Sequence, residues 1–405
     1  EEKNGVVPSS VLARIPRSLP GLMRAEKMQR KAAEVSFDWK EEQDVRAKLE
    51  EEFKEVCAAF QSGNDDAIDE ELEDAAKNLG SSPFWTFLKV KLPIILPSVL
   101  AVFFDSAEKI VGISGTSMNA AENSLLGQLY PELLDAETGF INGTTVNAEE
   151  LMKLQPDVVF YNASRKELGE TLRKAGFPAV AISVNKWEYN CIETLNQWIS
   201  LLSQIFPDNA KTEIVEAYSR KMYDLVQQRV STIPEEEREQ VFFLYQYSDT
   251  NLLTSGKLFF GQWWADAIGA VNVAQELTTD NSVAVNMEQV YAWDPELIFI
   301  TNFTTAEPED LYGNTVGVYD WSGIRAVQER QVYKMPLGMY RSYTPGADTP
   351  VTLLWMAKTA YPEQFADIDI LAETKQYYKE VFGVELTEAQ AASIFDPTAE
   401  AGSGF

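Results

Sequence analysis

Four carboxylates near the start of the chain have the spacing of a metal site. Glu52 and Glu55 are three residues apart, and so are Glu71 and Asp74. Surrounding apolar residues recur at helical spacing, so each pair is expected on one face of a helix. Two such faces in antiparallel contact would make an oxygen-rich pocket suited to magnesium. By spacing alone, however, a charge run such as 50–55 favours a solvated helix face.

The residues around these pairs resemble one enzyme family. RIPRSLPGLMRAEKMQRKAAEVSFDW, followed by EEFKE and ELED, is similar to the MazG family of all-α nucleoside triphosphate pyrophosphohydrolases over about residues 12–74. The resemblance implies that Glu52 with Glu55 and Glu71 with Asp74 bind magnesium. After Asp74 the sequence becomes AAKNLGSSPFW, where the family continues its helix and adds another. Losing a helix from a small bundle exposes a large apolar face, so we predict no working pyrophosphohydrolase.

A second resemblance begins where the first ends. Residues 74–100, DAAKNLGSSPFWTFLKVKLPIILPSVL, are similar to the cytoplasmic coupling motif of ABC-importer permeases. A permease needs several membrane spans, but the apolar run 92–104 would reach only about 20 Å as a helix, against a hydrocarbon core of about 30 Å. Pro97 also interrupts it. We predict a buried helix here, in preference to a signal-peptide core, with no transmembrane span and no transport pore.

Composition excludes several classes of function. The net charge of -28 would repel a phosphate backbone, so nucleic acid is not expected as a partner. The chain has no histidine, which removes Ser-His-Asp and Cys-His hydrolase sites and histidine-ligated haem. Cys57 and Cys191 are far apart with no CxxC, which favours two lone buried thiols over a disulfide. No signal peptide is visible at the front of the sequence.

From residue 109 onward, short apolar runs alternate with helical stretches. KIVGIS, DVVFYN and AVAISV predict strands in the first half, and QVFFLYQY and PELIFITN predict strands in the second. Between them, residues 209–232 form a long helical stretch that would span about 35 Å. The predicted fold is therefore α/β, with two Rossmann-like lobes joined by one long helix and preceded by a helical N-terminal segment.

The predicted domain organisation has six parts. They are a helical MazG-like segment (1–80), an apolar permease-like linker helix (81–108), an N-terminal binding lobe (109–208), an interlobe helix (209–232), a C-terminal binding lobe (233–395) and a tail (396–405).

Each predicted lobe contains one copy of a repeat. VNAEELMKLQPDVVFYN and VNMEQVYAWDPELIFITN both read as a helix, then Pro-Asp or Pro-Glu, then a buried strand. Together with LLWMAKTAYPEQF and YYKEVFGVELT, they resemble class III substrate-binding proteins of ABC importers over about residues 109–395. That resemblance implies a periplasmic or cell-surface protein without enzymatic activity or cofactor, which binds a ferric siderophore, haem or cobalamin. The family has a strand before KIVGIS that is absent here, which predicts a missing or substituted edge strand.

Candidate ligand-binding residues follow the predicted strands, because ligands bind at the carboxyl ends of strands in such folds. In the first lobe they are Thr116, Ser117, Asn142, Thr144, Tyr161 and Asn162; in the second they are Tyr245, Tyr247, Trp263, Trp264, Asn302, Tyr340, Arg341 and Tyr343. Aromatic rings with a few polar groups suit a planar or catecholate ligand, although such rings equally suit a core.

Arg341 is the strongest of these candidates. It lies between Tyr340 and Tyr343 in a loop bounded by glycine and proline. Its rigid fork of N–H groups suits carboxylate or phenolate oxygens. We favour this ligand role over the alternative, a structural arginine paired with a nearby carboxylate.

The resemblance also implies two residues that dock on a permease and ATPase complex. Members of this family present one surface glutamate per lobe to arginines of the transporter. Glu288, in NMEQVYAWDPE, matches the second of these, and Glu167 is the nearest match to the first. The alternative is that both are ordinary exposed glutamates.

Three hypotheses for function follow. The first is a substrate-binding protein that captures an iron complex, such as a ferric siderophore-like chelate, between two lobes. The second is a magnesium-dependent nucleoside triphosphate pyrophosphohydrolase in the N-terminal segment. The third is a chimeric fusion whose parts never act together.

Overall fold

The computed structural model describes residues 96–142, 145–206 and 212–403. Several predictions lie outside the described residues: the metal ligands Glu52, Glu55, Glu71 and Asp74, the permease-like residues 74–95, Cys57, Thr144 and the side chain of Asn142.

The first lobe, residues 96–206, is built from short helices and strands. Its helices are α1 (Leu96–Phe104), α2 (Gly115–Glu122), α3 (Leu125–Leu129), a 3-10 helix (Pro131–Asp135), α4 (Ala148–Lys153), α5 (Lys166–Lys174) and α6 (Cys191–Ile205); its strands are β1 (Ile141–Asn142), β2 (Thr145–Val146), β3 (Val159–Asn162) and β4 (Ala179–Ile182). β1 and β2 pair antiparallel, whereas β3 and β4 pair in parallel, with Val159 opposite Ala179.

The parallel unit β3-α5-β4 forms as its sequence predicts. DVVFYN and AVAISV contain β3 and β4, and KELGETLRK between them forms α5. Leu172 of α5 packs with Phe140, Leu151 and Tyr161 in the core of the first lobe. This small cluster also contacts Val159 and Ala179, the first residues of β3 and β4, and so holds α5 against the two strands.

The predicted strand KIVGIS is wrong. Within the described part of the chain, this run pairs at one residue, through an isolated parallel bridge between Gly112 and Glu137. A strand requires a neighbour that continues the hydrogen-bonded ladder, and this run meets one at a single position. An added Cβ at Gly112 would lie 2.7 Å from the Phe140 ring, so the chain here is also tightly packed against that ring.

Helix α1 confirms the prediction of a buried helix. Val99, Ala101 and Phe103 are almost completely buried, and the Phe104 ring packs edge-on against Phe206, 4.9 Å away. Across residues 96–403, apart from the two gaps, no helix is long and apolar enough to cross a membrane.

Helix α7 (Thr212–Val230) joins the two lobes. Its 19 residues span about 28 Å. Val215, Met222 and Val226 are buried at helical spacing, so one face of α7 packs against the protein along most of its length. No sheet among the described residues contains strands from both lobes. The fold is thus α/β with two lobes joined by one long helix, while the exact residue limits of the lobes stay a prediction.

The second lobe follows α7. Its elements are a 3-10 helix (Glu235–Glu237), β5 (Gln240–Leu244), β6 (Gln246–Tyr247), β7 (Leu252–Ser255), α8 (Phe260–Ala267), β8 (Val271–Asn272), β9 (Ser282–Ala284), α9 (Met287–Trp293), β10 (Leu297–Ile300), α10 (Pro308–Gly313), α11 (Arg325–Gln328), β11 (Val332–Lys334), α12 (Thr349–Ala360), α13 (Ile370–Tyr377), a π-helical turn (Tyr378–Phe382), α14 (Glu388–Ile394) and a 3-10 helix (Ala399–Gly402).

A four-stranded parallel sheet forms the centre of the second lobe. Its order is β11-β10-β5-β8, with Phe299 of β10 opposite both Phe243 and Tyr333. A second, antiparallel sheet has the order β6-β7-β9. Since the parallel strands run in one direction, the loops after β5, β10 and β11 leave the sheet at the same edge.

Candidate functional site

Arg341 lies in the loop between β11 and α12, and a buried aspartate holds that loop in place. The Asp348 carboxylate accepts hydrogen bonds from the Met339 backbone N–H, at 2.6 Å, and from the Tyr378 hydroxyl. Burial raises the pKa of Asp348 to about 6, although these hydrogen bonds oppose the rise. Gly338 runs so close to Asp348 that an added Cβ would overlap its carboxylate.

The guanidinium of Arg341 is fully buried and joins three parts of the chain. Nε and Nη2 both donate to the Ala401 carbonyl oxygen, at 2.9 and 2.5 Å. Nη1 donates to the Tyr340 hydroxyl at 2.9 Å and to the Thr116 carbonyl at 3.4 Å. Nη2 also donates to Asn119 Oδ1 at 3.3 Å. Arg341 of the second lobe is therefore bonded to α2 of the first lobe.

Aromatic rings lie beside this guanidinium. The Phe303 ring, which follows β10, is centred 5.6 Å from Arg341 Cζ. The Tyr245 ring, which follows β5, is 5.3 Å from the Phe303 ring and 5.6 Å from the Phe259 ring. Burial raises the pKa of Tyr245, and Tyr340 raises it further, while the charge of Arg341 opposes both. Tyr245 and Tyr340 are thus neutral hydroxyl groups around a positive charge.

The aromatic cluster continues into the first lobe through Tyr189, in the loop after β4. Its ring packs edge-on against Phe259 and Phe260, at 5.2 and 4.8 Å. The Tyr189 hydroxyl donates to the Asp280 carbonyl oxygen at 2.6 Å. Aromatic packing and one hydrogen bond therefore connect the lobes at a second place besides Arg341.

The first-lobe candidates divide between two places. One is the junction of the lobes, where Arg341 contacts α2, and the other is the interior of the first lobe. Thr116 is at the junction, since its carbonyl accepts from Arg341. Ser117 is buried at the start of α2, where its backbone N–H donates to Ser114 Oγ at 3.2 Å. Tyr161 lies in the first-lobe core, where its hydroxyl accepts from Arg173 at 2.6 Å. Asn162 is buried and accepts from the Ser164 backbone at 2.8 Å, which shapes the loop after β3.

Most remaining second-lobe candidates are held by internal contacts. Trp264 is fully buried and donates through Nε1 to the Tyr343 carbonyl at 2.8 Å, while Trp263 packs edge-on against it and is half-buried. Tyr343 is fully buried between Phe243 and other rings.

Two further candidates have similar internal roles. Tyr247 accepts from Trp321 Nε1 at 2.9 Å. Asn302 is fully buried and donates to the Met335 carbonyl at 2.9 Å. Among the sequence-based candidates, Arg341 is hydrogen-bonded to Thr116 and Tyr340. The ring of Tyr245 lies near this group and packs against Tyr343, with 5.5 Å between the ring centroids. Asn142 lies at the end of β1.

Three residues at the junction are not among the residues predicted from the sequence. Asn119 is three residues after Thr116 on α2, so the rule that such residues share a helical face could have found it. Phe303 directly follows the candidate Asn302. Ala401, in contrast, is an apolar residue far from any predicted strand and carries no sequence signal.

The described residues contain one cysteine. Cys191, the described cysteine, is a buried free thiol at the start of α6, as expected, and burial raises its pKa. Within the described ranges no group of three or more cysteine, aspartate or glutamate residues could hold a metal ion.

The two candidate docking glutamates lie on the surface, each near the start of a helix. Glu167 is in the first turn of α5 and Glu288 is in the first turn of α9, and both are exposed. Asn286 caps α9 by accepting from the Gln289 backbone, which fixes the direction of the first turn.

Comparison with known sequences gives three findings. A family model described as periplasmic binding protein matches residues 98–337. The molybdate-binding protein MolA of Haemophilus influenzae is 26% identical over 317 residues, which cover 72% of this chain and 85% of MolA. A nucleoside triphosphate pyrophosphohydrolase of Escherichia coli is 34% identical over 141 residues, which cover 33% of this chain and 52% of that enzyme.

Comparison with solved structures gives the same result for the two lobes. A periplasmic solute binding protein of Veillonella parvula is 30% identical, with a TM-score of 0.67 over 75% of this chain and 90% of that one. MolA bound to molybdate has a TM-score of 0.59 at 23% identity, over 72% of this chain and 91% of MolA, which shows a shared fold.

Proposed function

This chain belongs to the periplasmic binding protein family of ABC importers, and we propose that it captures an anionic, oxygen-rich metal complex between its lobes. A ferric siderophore-like chelate is the ligand we favour. The localisation we propose is the periplasm or the cell surface, where the family acts.

One observation carries this proposal: two N–H groups of a buried guanidinium converge on a single oxygen where the lobes meet. Catecholate and hydroxamate oxygens carry negative charge and accept strong hydrogen bonds from such a pair. The neighbouring Tyr245 and Phe303 rings suit the flat face of a chelate. Molybdate, which the relative MolA binds by its name, also presents oxygens, so it belongs in the same test.

The test is a titration followed by intrinsic tryptophan fluorescence. The probes are a ferric catecholate chelate, a ferric hydroxamate chelate and sodium molybdate. Arg341→Ala is expected to weaken binding of the preferred probe by roughly 10 to 150-fold, because a charged hydrogen bond contributes about 1.5 to 3 kcal/mol. Arg220→Ala, on the exposed side of α7, is the matched control and should bind as the wild type does.

A thermal melt separates ligand binding from stability. If Arg341→Ala lowers the melting temperature but leaves the dissociation constant unchanged, Arg341 is structural and the ligand site lies elsewhere. If none of the probes binds, an oxygen-rich anionic ligand is refuted.

The partner of this protein, we propose, is a permease and ATPase complex contacted by Glu167 and Glu288. Their exposure and their positions in the first turns of α5 and α9 support this role. A glutamate that makes few contacts within its own protein is available for an arginine of another.

The similarity to a pyrophosphohydrolase favours a second candidate function. Glu52, Glu55, Glu71 and Asp74 would hold magnesium in that case. Because the expected helix after Asp74 is replaced, we expect no magnesium-dependent release of pyrophosphate from mixed nucleoside triphosphates. Hydrolysis by the full chain that disappears in Glu55→Ala would refute this expectation and add an enzymatic activity to the binding function.

A further inference from the structure

The segment from Thr398 to Ser403, here called the tail segment, lies on both lobes. It contains the 3-10 helix Ala399–Gly402. The Ala401 carbonyl accepts the two hydrogen bonds from Arg341 of the second lobe. Ser403 Oγ accepts a hydrogen bond from Asn119 Nδ2 of the first lobe, at 3.1 Å. The tail segment therefore occupies the place where the lobes meet.

Close packing keeps the tail segment in this place. Ala401 is fully buried and Gly402 is buried. Gly402 lies directly against the backbone of Thr304, in the loop after β10, and an added Cβ would overlap the Thr304 carbonyl oxygen. A glycine is thus required at 402 for the tail segment to reach Arg341.

We propose that the tail segment is an internal competitor of the ligand, which must leave Arg341 before an anionic ligand can bind. This inference rests on the proposed function and adds a regulation of the same site. Nε and Nη2 point to one position, and that position holds the Ala401 oxygen. A ligand oxygen paired with the same two N–H groups cannot be there at the same time.

The hydrogen-bond chemistry permits the exchange. The Ala401 carbonyl is neutral, whereas a phenolate, hydroxamate or molybdate oxygen carries negative charge and accepts a stronger hydrogen bond from a guanidinium. The chain before the tail segment has its own anchor, because the Leu337 backbone N–H donates to the Ile394 carbonyl at 2.8 Å. The tail segment can leave while α14 remains bound to the lobe.

Competition has a measurable consequence for affinity. When the binding-competent form is only a fraction of the molecules, the apparent dissociation constant is the intrinsic value divided by that fraction. Expelling the tail segment should therefore strengthen binding. A tail segment that is merely structural would instead leave affinity unchanged and lower stability when it is expelled.

The experiment uses the full chain with Gly402→Val, which places a branched side chain against Thr304. Gly139→Val is the matched control, because an added Cβ at Gly139 meets no heavy atom within 4 Å. The dissociation constants of a ferric catecholate chelate and of molybdate are measured by calorimetry. We expect Gly402→Val to bind the preferred probe roughly ten-fold more tightly or better, because the two charged hydrogen bonds from Arg341 to Ala401 no longer compete with the ligand. Gly139→Val should match the wild type.

Each outcome decides between the two proposals. Tighter binding by Gly402→Val supports the competitor. Equal or weaker binding by a folded Gly402→Val overturns the competitor and leaves the binding function standing. Absence of binding by both proteins overturns the proposed ligand class and the competitor with it. If the melt shows that Gly402→Val is unfolded, deletion of residues 398–405 replaces it, with the same expected tightening.

Discussion

The two lobes differ in how completely their strands are buried. All four residues of β10 in the second lobe are buried, and β10 pairs with a strand on each side. In the first lobe, β3 and β4 pair with each other, Val159 and Val180 are half-buried, and Ala181 is exposed. The second lobe therefore has the more completely buried strands. Arg341, Tyr245 and Phe303 belong to this lobe.

The difference has a simple origin in the sequences of the strands. LIFI of β10 is a continuous run of large apolar residues, as a strand covered on both faces requires. AVAI of β4 has two alanines, which bury little area. We infer that the strands of the first lobe contribute less to stability than those of the second lobe.

The largest expected effect tests this difference in packing directly. Phe299→Ala in β10 should lower the free energy of unfolding by about 3 to 5 kcal/mol, because it leaves a cavity in a fully buried sheet. Val180→Ala in β4 should cost less than about 1.5 kcal/mol, since the side chain is smaller and half-buried. Urea unfolding measures both, and equal losses would contradict the comparison.

The next effect concerns pH and the loop that carries Arg341. Burial raises the pKa of Asp348 from 3.8 to about 6, so the folded protein binds this proton more tightly than the unfolded chain does. The free energy of unfolding should therefore fall as pH rises from about 4 to about 6, by about 2 kcal/mol for this group. Asp348→Asn has no titrating group at this position. Its free energy of unfolding should therefore fall less over the same pH range.

Urea unfolding of the wild type and Asp348→Asn at pH 4 and pH 7 measures this contribution. The free energy of unfolding of the wild type minus that of Asp348→Asn should be smaller at pH 7 than at pH 4. Parallel curves would mean that Asp348 does not titrate in the folded second lobe.

A smaller effect tests the first lobe alone. An added Cβ at Gly169 of α5 would overlap the Tyr161 ring, so Gly169→Ala should destabilise the first lobe by about 1 to 3 kcal/mol. Helix propensity alone predicts the opposite sign, a gain of about 1 kcal/mol. Hydrogen exchange should rise in β3 and β4 but not in β10. Gly139→Ala is the control, because its methyl group has space. A Gly169→Ala variant more stable than the wild type would contradict the prediction.

The smallest effect on stability is expected at the two glutamates proposed to dock on a transporter. Glu167→Arg and Glu288→Arg should change the free energy of unfolding by no more than about 0.5 kcal/mol, because both residues are exposed. Ligand delivery to a reconstituted importer should fall, since like charges would then meet. Glu213→Arg, also exposed in the first turn of a helix, is the control. If both variants deliver ligand normally, Glu167 and Glu288 do not dock on the transporter.

The site was less predictable than the fold. Arg341, Tyr340 and Tyr245 were found because each follows a strand. Thr116 was found although the strand predicted before it is absent, because the same run still leads into the start of α2. Tyr161, Trp264 and Tyr343 have the same sequence context, yet they are buried in packed interiors. Position after a strand does not tell which way a side chain points, because a change of one residue turns it to the other face.

What the sequence determined by itself was the α/β pattern, the repeat in each lobe and the long helix between them. Those features depend on local periodicity, which is written in neighbouring residues. Tertiary structure alone decided what surrounds Arg341, because Thr116 and Asn119 are 225 and 222 residues away along the chain and Ala401 is 60 residues away. A hydrogen bond to a backbone carbonyl depends on the path of the backbone and requires no particular side chain. The position of the tail segment at the junction therefore cannot be predicted from its residue types.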